Sequence, residues 1–228
     1  MEHGKNHKKV ANVIFPRACR LLKDINEKEF RDMCGCMNVR ELHLKNKEAF
    51  IVESDPCRWI GVVVIGAVRL TRQRLDGGRN VLETVLANDT FGATYAFRDV
   101  KNIGVGMSAV GETVVLLFDT ERIMHPCHKI CHAHLQFLRN LLTIMSQKTF
   151  QIKQKLRILS QRTIRGRLML FLNIMAKRAK SAEFDIPFDR QALADYLCVE
   201  RSALSAEISK LRAEGKLTSV KQHFTLKV

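Results

Sequence analysis

No run of eighteen apolar residues occurs in the 228-residue chain, so no segment reads as a membrane-spanning helix. Residues 1–9 are polar and basic with no apolar stretch behind them, which argues against a secretory signal and sets the expectation of a cytoplasmic protein. The seven cysteines, at 19, 34, 36, 57, 127, 131 and 198, are odd in number and irregular in spacing, and they make no secreted disulfide framework. Acidic residues are scarce beside basic ones, 23 against 38, for a net charge of +15. That excess exceeds what solubility needs and points to a polyanionic partner, nucleic acid first and an anionic membrane surface second. Residues 156–228 hold 14 basic and 7 acidic side chains, about twice the net positive charge per residue of the rest. With 46% hydrophobic and 27% charged residues, the composition is that of a globular protein of one large or two modest domains, not of a disordered chain.

What is present divides by texture. Residues 27–36 read as a short helix. From about 38 to 120, segments such as Trp59-Ile-Gly-Val-Val-Val-Ile, Ala67-Val-Arg-Leu-Thr, Val81-Leu-Glu-Thr-Val-Leu and Thr113-Val-Val-Leu-Leu-Phe are short, β-branched and bounded by turn residues. Asp76-Gly77-Gly78 between two of them is a hairpin signal, and the set predicts an all-β roll of about eighty residues. From 126 onward the pattern is helical. Leu135, Leu138, Leu142, Met145, Thr149, Ile152, Leu156 and Leu159 follow one another in alternating steps of three and four, a heptad with one polar member. Such a stripe either packs on its own roll or meets its symmetry mate in a parallel dimer. Its length favours the dimer, with Leu135, Leu138, Leu142, Met145 and Ile152 as the seam.

Residues 162–180 read as a further helix with Leu168, Phe171, Leu172 and Met175 inward, and 181–188, with Pro187, as a breaker. Asp189 is a good N-cap for a helix burying Leu193, Ala194 and Leu197. Cys198-Val199-Glu200 makes a tight connection. A second helix from Arg201 buries Leu204, Ile208 and Leu211 and stops at Gly215, which suits a left-handed cap. Lys216-Leu-Thr-Ser-Val and Phe224-Thr-Leu-Lys-Val read as two strands of a wing. This is the pattern of a winged helix-turn-helix, whose second helix enters the major groove of double-stranded DNA at its N-terminal end. There Arg201, Ser202 and Ser205 face outward. An arginine fork matches guanine O6 and N7, whereas Arg190, Lys210, Lys216 and Lys221 are placed for phosphates, and Gln191 joins the DNA-facing set.

These residues resemble the Crp/Fnr family of bacterial transcription regulators over nearly the full length. Ile65-Gly66-Ala67-Val68-Arg69-Leu70 is similar to the family's glycine-centred strand turn, Leu86-Ala-Asn-Asp89-Thr-Phe91-Gly92 to its approach to the effector pocket, and Arg201-Ser-Ala-Leu-Ser-Ala-Glu-Ile to its reader helix. The resemblance implies an α+β chain in three parts: a jelly-roll-like β-roll sensor at 1–124, a dimerisation helix at 125–160 and a winged helix-turn-helix DNA-binding domain at 161–228. It implies a regulator, not an enzyme, that binds near-palindromic promoter sites as a homodimer and recruits or blocks RNA polymerase. It also implies that cyclic-nucleotide binders carry a Glu after Phe-Gly for the ribose and an Arg-Ser pair for the cyclic phosphate. Here those places hold Ala93 and Ile103-Gly104-Val105, so a buried phosphodiester would lack its counter-charge and cyclic AMP is not expected. An arginine common in one branch of reader helices is Ala206 here.

What the roll senses stays open between two readings, and no cofactor is assigned. One is an apolar or amphipathic small-molecule effector among Trp59, Phe91, Gly92, Ala93, Tyr95 and Phe97, against aromatics that merely fill the core. The other is a metal, haem or redox centre in His125-Pro-Cys127-His128-Lys-Ile-Cys131-His132-Ala-His134, where His128 and Cys131 fall on the backward extension of the seam. No closed zinc spacing is present, and Cys19, Cys34 and Cys36 do not reproduce an iron–sulfur cluster spacing. A cupin-like enzyme would need a metal set on the strands, which carry almost no carboxylate or imidazole. A non-specific nucleic-acid binder shares the charge but leaves the helix-turn-helix and the seam unexplained.

Overall fold

In the computed structural model, residues 13–54, 56–74, 77–97, 103–125 and 131–227 are described. The chain divides into two compact units, Met1–Ser146 and Gln147–Val228. The division falls inside the long helix at 132–159.

The first unit opens with a single 3-10 turn at Arg20–Leu22 and helix α1 at Glu27–Cys36. Asn26 caps α1 reciprocally: its side chain accepts from the Glu29 N–H and the Glu29 carboxylate accepts from the Asn26 N–H. Strands β1 (Arg40–Leu44), β2 (Ala49–Ile51), β3 (Trp59–Gln73), β4 (Arg79–Leu86) and β5 (Thr90–Phe91) follow, then the short helix α2 (Ala93–Ala96), strand β6 (Gly106–Asp119) and helix α3 (Thr120–Met124). The strands form one antiparallel sheet ordered β1-β6-β3-β4, with β2 added to β6 and β5 to β3. β3 and β4 pair as the hairpin signal predicts, although Asp76 itself lies outside the described residues.

The segments Trp59-Ile-Gly-Val-Val-Val-Ile and Ala67-Val-Arg-Leu-Thr are one strand, not two. The break in pattern is a bend at Gly66, where the register against β6 shifts on both sides of Ile65. Gly66 takes φ +78, and a Cβ there would lie 2.4 Å from the Glu112 carbonyl oxygen, so no other residue fits. The core of this unit gathers Phe30, Met33, Ile60, Val63, Leu116 and Phe118, all fully buried.

Helix α4 (His132–Leu159) closes the roll with Ala133, Phe137, Leu141 and Ile144, and the Phe137 ring lies 5.0 Å from that of Phe118. Asn140 is buried beside them and donates to the carbonyls of Leu21 (3.0 Å) and Lys23 (2.7 Å). The roll is therefore covered by a face of α4 distinct from the heptad stripe. Of the stripe, Leu138 and Met145 are half-buried, whereas Leu135, Leu142, Ile152 and Leu156 are exposed, Leu142 by 69%.

The second unit contains α5 (Ile164–Ala179), strand β7 (Glu183–Asp185), α6 (Arg190–Leu197), α7 (Arg201–Ala213), β8 (Leu217–Val220) and β9 (His223–Leu226). Thr163 caps α5 by accepting from the Gly166 N–H (3.0 Å). The small sheet is antiparallel in the order β7-β9-β8, so the breaker at 181–188 supplies a third strand, and His223 belongs to β9 and not to the turn. Leu168, Leu172, Leu193, Ala194, Leu197, Leu204, Leu211 and Phe224 are all fully buried in one core.

Candidate nucleic-acid interface

Two helices and a tight turn form the centre of this interface. Asp189 caps α6 through the Ala192 N–H (2.8 Å). Cys198 ends α6 in the left-handed region, φ +53, with its N–H and that of Val199 returning to Asp195 and Ala194. Small Ala194 is fully buried between the helices. Glu200 then starts α7, Leu204, Ile208 and Leu211 face the core, and Gly215 takes φ +72 just past the helix end.

The outer face of α7 is left to Arg201, Ser202, Ala206, Ser209 and Lys210, all exposed, with Ser205 half-buried. Two acids on and just after this helix, Glu207 and Glu214, are paired on its other side. Arg165 on α5 bonds Glu207 through Nε (2.6 Å) and Glu214 bidentately (2.6 and 3.0 Å). Lys216 adds a second ion pair to Glu214 at 3.2 Å. Arg165 first, and then Lys216, hold the Glu214 carboxyl below the usual range. The arrangement neutralises two negative charges and leaves Arg201 and Lys210 facing outward as cations.

The remaining predicted DNA residues divide. Arg190 is half-buried, with its guanidinium 5.6 Å from the Phe224 ring centroid. Burial, and then the Arg212 charge, lower its pKa. Part of this side chain is thus committed to packing on the wing. Gln191 bonds Asp195 one turn on (2.9 Å), and Lys221 takes φ +52 in the exposed wing turn.

Three residues at the wing form a group that sequence patterning misses. His223 on β9 lies between two carboxylates of β7, with Nδ1 3.0 Å from Asp185 and Nε2 2.9 Å from Glu183. Both ring nitrogens can donate only in the imidazolium form. Asp185 first, and then Glu183, raise the His223 pKa above its ordinary 6.5. Because the folded value is the higher one, the stabilisation is full below about pH 6.5 and is lost as pH rises through the raised pKa. Hydrogen exchange at the β7 and β9 amides should show that loss of protection in wild type and not in His223→Gln. A ring titration midpoint at or below 6.5 would count against the pairing. All three side chains are substantially exposed, so the effect is screened by salt.

In the first unit, the positions expected around an effector are mostly core. Phe91 is buried against Phe50, edge-on at 5.8 Å, and against Gly61, where a Cβ would collide with its ring. Trp59 lies under the Arg40 guanidinium (4.6 Å) and borders the same core with Tyr95, whereas Phe97 is exposed. Gly92, at φ +82, caps α2, and a Cβ there would meet the Trp59 carbonyl oxygen at 2.6 Å. Ala93, Ile103 and Val105 are buried and apolar. One guanidinium does approach this region, from β3: Arg72 Nη2 lies 3.5 Å from where a Cβ on Gly104 would stand.

The histidines around α3 and the start of α4 point to separate partners. His125 Nδ1–H donates to the Glu121 carbonyl (2.9 Å), His132 pairs with Glu29 (3.2 Å), and buried His134 donates from Nε2 to the Ile123 carbonyl (2.9 Å). Cys131 is half-buried against the roll core, and Cys127 and His128 lie outside the described residues. Among the described residues, no three His, Cys, Asp or Glu side chains gather as a cation would require.

Residues 166–227 match the Crp-like helix-turn-helix domain family. The chain is 23% identical over 186 residues to the nitrogen fixation regulation protein FixK of Bradyrhizobium diazoefficiens, covering 79% of this chain and 75% of that protein. It is 22% identical over 177 residues to the transcriptional activator protein FnrL of Cereibacter sphaeroides, covering 74% and 68%. The chain thus carries a Crp-like helix-turn-helix domain and is similar over most of its length to Crp/Fnr-type transcription regulators. Its fold matches the catabolite activator protein of Thermus thermophilus at a TM-score of 0.51, with 18% identity over 91% of this chain and 93% of that one. The two relatives are a regulation protein and a transcriptional activator, not enzymes. Among the described residues, no helix is long and apolar enough to cross a membrane.

Proposed function

We propose that this regulator acts in the cytoplasm as a homodimer on a near-palindromic promoter site, where it recruits or blocks RNA polymerase under the control of a roll that does not take cyclic AMP. Arg201 reads a base in each half-site, and Ser202 and Ser205 complete the groove face. Lys210, Lys216 and Lys221 contact phosphates, with Gln191 and the exposed part of Arg190 beside them. The observation that carries this reading is the exposed first turn of α7, which presents Arg201 and Ser202 while Arg165 holds Glu207 and Glu214. Two-fold symmetry would set the half-sites one helical turn apart, about 34 Å. The heptad stripe, exposed on one chain, supports the dimer. The apolar Ala93, Ile103 and Val105 support the exclusion of a cyclic phosphodiester, and a small-molecule effector would have to be of another class.

Arg201→Ala is the direct test. On a duplex enriched from a random pool with wild-type protein, the loss should be about 1–3 kcal/mol per half-site. On a scrambled duplex, affinity should fall only by the share of one phosphate-range charge. Equal losses on both duplexes would refute base reading by Arg201.

A further inference from the structure

The turn before α7 accepts hydrogen bonds from a side chain on α5. Arg167, in the first turn of α5, donates from Nη1 to the carbonyls of Leu197 and Cys198, both at 3.1 Å, and from Nε to the carbonyl of Gln161 at 3.0 Å. Leu197 is the last residue of α6 and Cys198 its C-cap, and carbonyls at a helix end have no partner within the helix. A cation there also meets the negative end of the helix dipole. Cys198 holds a left-handed conformation that a non-glycine residue keeps only when its surroundings enforce it. Two residues later α7 begins, so the direction of this turn sets where Arg201 stands. The third carbonyl, of Gln161, belongs to the short connection between α4 and α5.

We infer that Arg167 is a positioning residue for base reading: its guanidinium ties the α4–α5 connection to the turn that launches the reader helix. A shift of that connection would reach Arg201 through one rigid planar group. The inference rests on the proposed role of Arg201 for its effect on DNA, but not for its effect on the turn. Only arginine suits the place, because a lysine ammonium is a point donor and cannot span carbonyls on both sides of a fork.

The test uses full-length Arg167→Lys and Arg167→Met. Without DNA, exchange of the Cys198 and Val199 amides, bonded to the Asp195 and Ala194 carbonyls, should quicken about tenfold or more, while the α5 core amides at Leu168, Phe171 and Leu172 stay protected. Well below the melting temperature, affinity for the enriched duplex should fall about tenfold or more and that for the scrambled duplex about twofold at most. Combining Arg167→Lys with Arg201→Ala should cost less than the sum of the two, although the side chains do not touch. Unchanged exchange at the turn, or strictly additive losses, would overturn the inference. A uniform loss of protection across the unit would reduce Arg167 to a stability residue and also overturn it. Should wild-type protein enrich no duplex, the base-reading proposal fails on its own, and the exchange at the turn alone decides whether Arg167 holds it.

Discussion

Glutamate at both Leu142 and Ile152 should leave the regulator monomeric in sedimentation and lower its affinity for an enriched duplex by about 100-fold or more, the avidity lost when two linked readers become one. The helix that carries these residues has two apolar faces with different tasks. Ala133, Phe137, Leu141 and Ile144 are spent on the roll, and replacing any of them would damage that core. Leu135, Leu142, Ile152 and Leu156 are exposed in the single chain, and they fall on the heptad stripe of a helix of 28 residues. An exposed leucine or isoleucine forgoes about 1.5–3 kcal/mol of burial, so four in one row call for a partner. In a parallel pair, each glutamate would face its own copy across the axis, adding like-charge repulsion to the lost apolar contact. Because both positions are exposed in the single chain, the double variant should keep the wild-type circular dichroism spectrum. A dimer that survives both glutamates would sink the seam assignment.

The two-faced helix also shows what periodicity can and cannot reveal. Spacing of three and four singles out Leu135 and Leu142, but Phe137, Leu141 and Ile144 fit a helical period equally well, and only the folded roll decides which row it covers. Where burial is one-sided and the ends are capped, the pattern is decisive. Asp189, Leu193, Ala194 and Leu197, followed by Leu204, Ile208 and Leu211, are legible in the sequence because each helix has a single apolar face, with a capping Asp189 before α6 and Gly215 after α7. Strand β7 is hidden because Phe184 is its one buried side chain, set between two acids and close to Pro187. The roles of Arg165, Arg167 and His223 are hidden for another reason. In the sequence they are ordinary polar residues at a helix start and a strand edge. Their partners, Glu207 and Glu214, the carbonyls of Leu197 and Cys198, and the carboxylates of β7, come within reach only when elements 30 to 50 residues apart pack together.

Phe224→Ala should abolish DNA binding without removing any group that faces DNA. Phe224 is fully buried on β9, the middle strand of the small sheet, in register with Phe184 on one side and Ser219 on the other. Its ring also supports the half-buried Arg190 guanidinium at the start of α6. Truncating a buried phenylalanine to alanine costs about 3–5 kcal/mol, against a total of about 5–15 kcal/mol for a whole domain. In a unit of this size, each kcal/mol lowers the melting temperature by about 4–8 °C, so the drop should be about 12 °C or more. The wing and α6 would loosen together, and the turn before α7 with them. Exchange should therefore quicken across β7, β8, β9 and α6, unlike the local effect expected for Arg167→Lys. Phe224→Leu, which keeps most of the volume, should cost under about 1.5 kcal/mol and retain binding. Full affinity in the alanine variant at 37 °C would mean that the wing sheet does not hold the reader in place, and that α6 and α7 stand on the α5 contacts alone.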